Sequence, residues 1–295
     1  MRRGDRMSAV LLEGKSLADI IKAKIKLEIE ALKSKHGMAP KLMALQIGDN
    51  ASSAVYVKAQ KKTAQALGID YELKSAPGTV SQAEAEDLIR DMNKDGSITA
   101  IILQLPLPKG MDAKRLINLV APSKDAESMH PENLGKIISG QYRIAPCTAM
   151  AVMELLESTK LNLYGKEAVV VGHSEIVGKP LALMLLNKFV TTTVCHIATG
   201  ERGVLPEHVK RAEILISAVG KAGIIKSGWI KDKAIVIDVG INKIGETIVG
   251  DVEFEGALQK ASYITPVPGG VGPLTTTILM RNTLELFKDV ILRKN

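Results

Sequence analysis

The chain has 295 residues, 46% of them hydrophobic and 24% charged, an ordinary globular composition with length for roughly two domains. No apolar run approaches the ~18–20 residues of a membrane span, no secretory signal is read in the charged first ten residues, and two cysteines exclude a disulfide framework or a cysteine-rich metal site. A net charge of +7 raises nucleic acid as a partner, but aromatics are only 3% and the lysines are dispersed, so a mildly basic cytoplasmic enzyme acting on anionic small molecules accounts for the charge better, with no nucleic acid and no membrane expected.

Residues 1–6 read as an alternative start or a frayed tail. Ser16-Leu-Ala-Asp19 then opens a helix as a capping box, with Leu17, Ile21, Ile25, Ile29 and Leu32 on one face until Gly37 stops it. A strand is expected over 41–47, a helix from Ser52 or Ser53 to Gly68, and a strand over 69–73. Ser81-Gln-Ala-Glu84 caps a helix to about Lys94; a buried strand over 98–104 ends in Leu-Pro-Leu-Pro, and a short helix follows over 111–120. Thr148 is expected to cap a helix to about Ser158. Strands are expected over 166–171, 191–196, 213–219, 234–239 and 263–264, with helices over 177–188 and 275–290. Helices alternating with short apolar strands predict an α/β fold with parallel sheets, whose ligands sit beyond the carboxyl ends of the strands. Gly48 and Gln104 lie at two such ends, and a polar amide after Ile101-Ile102-Leu103 suits a cleft better than a core.

The almost pure valine strand before Gly172 leads through Gly172-His173-Ser174-Glu175-Ile176-Val177-Gly178 into a helix. That is a variant of the dinucleotide fingerprint, with Gly172 for the tight turn, Ser174 as a hydroxyl donor and Gly178 six residues on rather than five. No acidic residue follows the next strand, where an NAD site places one for the ribose. His173, Lys179 and His196 stand nearby, which favours a 2′-phosphorylated cofactor.

Several segments together carry a family resemblance: Gly48-Asp49-Asn50 with Ser53-Ala-Val-Tyr56, Gln104-Leu-Pro-Leu-Pro108, Lys124-Asp125 with His130-Pro131, Pro146-Cys147-Thr148, Ile176-Val177-Gly178-Lys179-Pro180, Asp238-Val-Gly-Ile-Asn242 and the eleven-residue Tyr263–Pro273 stretch with its Pro-Gly-Gly-Val-Gly-Pro ending. From about Leu12 to Leu286 the chain resembles the bifunctional methylenetetrahydrofolate dehydrogenase/methenyltetrahydrofolate cyclohydrolase family of the FolD type. The resemblance implies a catalytic folate domain (1–148), a Rossmann-type NAD(P) domain (149–274) and a C-terminal helix (275–295) returning to the first domain, with a folate cleft between the two and a homodimer formed through the nucleotide domain. It implies a catalytic set of Tyr56, Gln60, Gln104 and Glu127. Substrate contacts, to tetrahydrofolate derivatives with or without polyglutamate, would come from Tyr56, Gln104, Leu105, Glu127, Pro268, Gly269 and Gly270. Contacts to NADP, or alternatively NAD, would come from Gly172, His173, Ser174, Ile176, Val177, Gly178, His196, Ile197, Gly220 and Ile241. No metal is implied.

Three departures stand out. The family's Tyr-x-x-x-Lys reads Tyr56-Val57-Lys58-Ala59-Gln60 here, and an amide supplies neither a titratable proton nor a positive charge. Lys61 points about 100° away on a helix, and Lys58 lies on the far side. The family's Asp-Val-Asp-Gly reads Asp125-Ala126-Glu127-Ser128, which moves the pterin-binding carboxylate out by one methylene and, by removing a glycine, predicts an altered backbone. Ala149 and Ala151 replace a proline and a glycine. Asp125 is left between a turn role and a site role; His130 and Cys147 read as structural. Hydride transfer needs alignment, whereas hydrolysis of the methenyl product needs proton management. The expectation is a dehydrogenase with weak or absent cyclohydrolase. The rivals are a fully bifunctional enzyme with a different proton path, a non-catalytic folate- or dinucleotide-binding paralogue, and an oxidoreductase of the shikimate dehydrogenase type.

Overall fold

The computed structural model describes residues 8–294; residues 1–6, read above as a tail, fall outside them. In chain order the elements are β1 (Val10–Leu11), α1 (Gly14–His36), β2 (Lys41–Ile47), α2 (Ala51–Leu67), β3 (Asp70–Ala76), α3 (Gln82–Lys94), β4 (Ala100–Leu103), α4 (Ala113–Leu119), α5 (Pro131–Ile138) and α6 (Cys147–Ser158). There follow β5 (Glu167–Val171), α7 (Gly178–Asn187), β6 (Thr191–Cys195), α8 (Ile197–Glu201), α9 (Leu205–Arg211), β7 (Ile214–Ser217) and β8 (Ile235–Asp238). The chain closes with β9 (Asn242–Ile244), β10 (Thr247–Val249), α10 (Phe254–Leu258), β11 (Tyr263–Ile264) and α11 (Val271–Lys294).

The chain divides into two units. One comprises residues 19–147 and 276–295 and holds a parallel sheet in the order β3-β2-β4. The other comprises residues up to 18 and 148–275 and holds a six-stranded parallel sheet in the order β1-β11-β8-β7-β5-β6, with an antiparallel β9–β10 hairpin. The N-terminal segment therefore differs from its expected place in the first domain. Val10 and Leu11 pair with Tyr263 and Ile264 at the edge of the larger sheet. Two residues, both exposed, are too short a run for a periodicity to reveal.

The apolar runs form strands because parallel sheets bury both faces. Ala168, Val169 and Val170 of β5 and Ile214 and Ile216 of β7 are wholly buried, as are Leu42, Ala44 and Leu45 of β2. Burying each such valine or leucine contributes roughly 1.5–3 kcal/mol.

Local start signals held in one place and failed in another. Ser81 and Glu84 form a reciprocal capping box on α3, Ser81 Oγ accepting from Glu84 N at 3.2 Å and Glu84 Oε2 from Ser81 N at 2.7 Å. At α1, by contrast, the helix begins at Gly14, and Ser16 Oγ donates to Glu13 O instead of capping. The start is set by packing: Gly14 N donates to Gly269 O at 2.9 Å, and a Cβ on Gly14 would lie 1.8 Å from Gly270 O. Likewise α6 begins at Cys147 rather than behind a Thr148 cap, and α11 begins four residues earlier than expected, at Val271.

Within the smaller-sheet unit, α11 is tied to the loop after β4 by one side chain. Asn282, fully buried, donates through Nδ2 to Ala126 O at 2.9 Å and Ala145 O at 3.1 Å. Asn282→Leu strips both carbonyls of a buried donor and should lower unfolding free energy by about 2–4 kcal/mol, read as a shift of the urea midpoint at unchanged slope.

Candidate functional site

In the smaller-sheet unit the polar candidates gather around α2 and the carboxyl end of β4. Ser53, Val57, Gln60, Ala64 and Leu67 form the buried stripe of α2 at helical spacing, so Gln60 stands between the apolar side chains of Val57 and Ala64. Its buried amide is satisfied from two sides: Tyr71 Oη on β3 and Gln104 Nε2, just past β4, each donate to Gln60 Oε1 at 3.0 Å. Gln104 is itself fixed by its backbone N–H, which donates to Leu45 O at 2.8 Å. Tyr56, one turn before Gln60, is 55% exposed, and Leu105 is partly exposed beyond the strand end. Lys58 and Lys61 are exposed and off the buried stripe, as the helical geometry requires. Lys124 is also tethered elsewhere, donating to Met92 O and Asp95 O.

Asp125 is a structural anchor. It is buried, and its Oδ2 accepts from His130 N at 2.7 Å and Asn133 Nδ2 at 3.1 Å, while burial pushes its carboxyl pKa up. His130 caps α5, its Nδ1 accepting from Glu132 N. The segment before Glu127 runs beside β4, with Ile101 N donating to Lys124 O and Ala126 N to Ile101 O. Glu127 follows directly; burial, then the nearby Asp125 charge, pushes its carboxyl up to about 7. Cys147 is an inert thiol, raised well above its ordinary value by burial and by the Glu127 and Asp125 carboxylates.

Ser128 adopts a left-handed conformation (φ 57°), a cost of roughly 1–2 kcal/mol for a non-glycine residue, partly offset because Ser128 N donates to Asp125 O and Oγ to Ile144 O. Ala149 and Ala151 are fully buried in α6.

In the larger-sheet unit the glycine turn after β5 is dictated by close approach. Gly172 has φ 118°, and a Cβ there would lie 2.4 Å from Ala218 O; a Cβ on Gly178 would lie 2.0 Å from Gly172 O. Ser174 Oγ accepts from Val177 N at 3.1 Å and shapes the turn, and Val177, the expected first residue of the helix, is instead the cap residue just outside α7. The His173 and His196 rings lie 5.3 Å apart, at the ends of adjacent strands. Ile176, Ile197, Val219 and Ile241 expose apolar surface at the same rim, which suits flat aromatic rings. Glycine backbone at a helix start and an apolar rim fit a dinucleotide.

Two aspartates that sequence reasoning did not nominate hold this rim in shape. Asp251, fully buried, accepts from Ser217 Oγ, Val219 N and Gly220 N through Oδ2, and from Lys221 N and Asn242 Nδ2 through Oδ1. Asp238 accepts from Gly240 N, Asp251 N and Val252 N, and burial pushes its carboxyl up to about 6. The available signal was the glycines: a Cβ on Gly240 or Gly250 would strike these carboxylates at 2.1 and 2.0 Å. Gly269 and Gly270, nominated for substrate, also form the seat of Gly14. Among the described residues no cluster of three or more His, Cys, Asp or Glu could hold a metal ion.

Comparison with known proteins adds a common ancestry. The family description "Tetrahydrofolate dehydrogenase/cyclohydrolase, catalytic domain" matches residues 12–127, and "Tetrahydrofolate dehydrogenase/cyclohydrolase, NAD(P)-binding domain" matches residues 146–291. The chain is 45% identical over 279 residues to the bifunctional protein FolD of Nitratiruptor, covering 95% of this chain and 98% of that protein. It resembles the crystal structure of the bifunctional FolD of Campylobacter jejuni with a TM-score of 0.92 and 40% identity, over 96% of this chain and 99% of that one. The Trypanosoma brucei enzyme, solved with NADP and an inhibitor, gives 0.91 and 36%, over 96% and 99%.

A carboxyl raised by burial favours the folded state while neutral. For Glu127 that benefit is complete below its ordinary value of 4.5 and is lost as the pH rises through about 7. Glu127→Gln should therefore match the wild type near pH 4 and exceed it by roughly 1–3 kcal/mol at pH 8, measured by urea unfolding at the two pH values.

Proposed function

The chain belongs to the tetrahydrofolate dehydrogenase/cyclohydrolase family, and from that premise we propose that it oxidises 5,10-methylenetetrahydrofolate to the 5,10-methenyl compound using NADP and hydrolyses that product weakly or not at all. The observation that carries the reading is Gln60, a neutral amide with both neighbours hydrogen-bonded to it, at the position where the family resemblance implies a lysine.

The nicotinamide, when bound, supplies the acceptor for the hydride. The chain's own residues orient and shelter. Gly172, His173, Ser174, Ile176, Val177 and Gly178 would hold the dinucleotide's phosphate and adenosine side, with Ile197, Gly220 and Ile241 completing the rim and Asp251 keeping Gly220 in place. His173 and His196 offer imidazole N–H groups to a 2′-phosphate, which supports NADP over NAD, as does the NADP complex of the Trypanosoma relative. Glu127 would accept hydrogen bonds from the pterin, Tyr56 would pack on its ring, and Gln104, Leu105, Pro268, Gly269 and Gly270 would complete the folate contacts. Alignment of this kind is sufficient for hydride transfer. Attack of water on the methenyl carbon needs a proton acceptor and donor, which Gln60 cannot be; general acid–base help is worth roughly 100- to 10,000-fold.

The same reading takes polyglutamylated folates as substrates, a cytoplasmic setting and a homodimer. No helix among the described residues is long and apolar enough to cross a membrane. Support for a dimer comes from the sheet edge at β6, flanked by the exposed rings of Tyr164 and Phe189 at 5.5 Å.

The test is a two-activity assay with each nucleotide. Methylenetetrahydrofolate should reduce NADP faster than NAD, and the methenyl product should accumulate and decay at its enzyme-free rate. Gln60→Lys, at saturating folate, should speed that decay by about 100-fold or more. Reduction of neither nucleotide overturns the reading and leaves a non-catalytic binder; rapid enzyme-dependent decay in the wild type shows a complete bifunctional enzyme.

A further inference from the structure

One hydrogen-bonded chain ties Tyr71 to Gln104 through a single oxygen. Tyr71, Gln60 and Gln104 are each less than a tenth exposed, and they come from β3, α2 and the end of β4. Gln60 Oε1 receives both the Tyr71 hydroxyl and the Gln104 amide N–H, each at 3.0 Å. A carbonyl oxygen has two lone pairs, so the two donors fill it. A glutamine amide has a donor end and an acceptor end. With the nitrogen of Gln104 committed inward, its carbonyl oxygen is the end left for another partner. The Tyr71 phenol is kept neutral and donating, because burial pushes it up to about 12.

We propose that Tyr71 is a positioning residue for folate: its hydroxyl holds Gln60, and Gln60 holds the Gln104 amide with its carbonyl oxygen turned to accept from an N–H donor of the substrate. This rests on the dehydrogenase reading for the identity of the substrate. The position-60 group is then required as an acceptor rather than as a charge. A side chain that only accepts preserves the arrangement, and one that only donates breaks it. Tyr71 touches no reacting atom; it acts through the two amides.

The test compares Tyr71→Phe, Gln60→Glu, Gln60→Lys and Gln60→Met, together with the Tyr71→Phe/Gln60→Met double variant. Tyr71→Phe should raise the KM for methylenetetrahydrofolate about five- to twenty-fold, with the KM for NADP unchanged, which a general loss of structure would not do. Gln60→Glu should stay within about threefold of the wild type, whereas Gln60→Met and Gln60→Lys should raise the folate KM at least as far as Tyr71→Phe. The double variant should be no worse than Gln60→Met alone, because both changes cut the same chain. Calorimetric titration with tetrahydrofolate reads the same shifts without turnover. An unchanged folate affinity in Tyr71→Phe, multiplicative losses in the double variant, or tolerance of Lys with intolerance of Glu at position 60 each overturn the proposal. A wild type that binds tetrahydrofolate but reduces neither nucleotide overturns the dehydrogenase reading instead, and a wild type that does not bind it overturns both.

Discussion

A parallel strand buried on both faces has no room for a polar side chain along its length, and its backbone is spent on its neighbours. Polar groups can enter only where a strand stops. Three of the candidate positions stand at such ends. Gln104 stands one residue beyond β4, Gly172 one residue beyond β5, and His196 one residue beyond β6. At β7 and β8 the freed backbone N–H groups need acceptors, and Asp251 and Asp238 provide them from within the fold. These carboxylates are spent on backbone, so they shape the rim without being available for chemistry.

The two rims solve the problem of a buried polar group differently. At the larger sheet, ionisable aspartates are surrounded by amide donors, and burial still lifts Asp238 to about 6. At the smaller sheet, neutral groups do the work: two glutamine amides and a phenol share one acceptor. A buried ammonium would cost desolvation and call for a carboxylate partner. Gln60 removes that cost together with the proton it would carry. The neutral amide at position 60 leaves a network in which both donors share one acceptor and no charge is buried.

Most of the architecture was legible from period and punctuation. The strands over 41–47 and 263–264 have the expected bounds, and the others lie within a few residues, because a continuous apolar run with glycine or proline at its end has few other readings. The family motifs nominated Tyr56, Gln60, Gln104 and Glu127, and of these the structure joins Gln60 and Gln104 by a hydrogen bond. One sequence signal misled: Ser16 has the form of a cap, yet tertiary packing overrode it. Gly14 is seated on residues 269–270, far away in the chain, and the bonds from Ser128 to Asp125 and Ile144 hold a left-handed turn that serine alone would avoid.

By itself the sequence determined which side-chain chemistry stands at each candidate position: no lysine four residues after Tyr56, no acid after β6, glycines where backbone must approach backbone. Those are properties of side-chain chemistry and local spacing. Only the tertiary structure decided what each polar group faces. Tyr71 reads in sequence as an ordinary strand tyrosine, and Asp251 as a turn aspartate. Their roles come from partners 11 and between 9 and 34 residues away, respectively. A hydrogen bond is set by distance and direction in space, and no periodicity along a chain encodes which oxygen two distant donors will share.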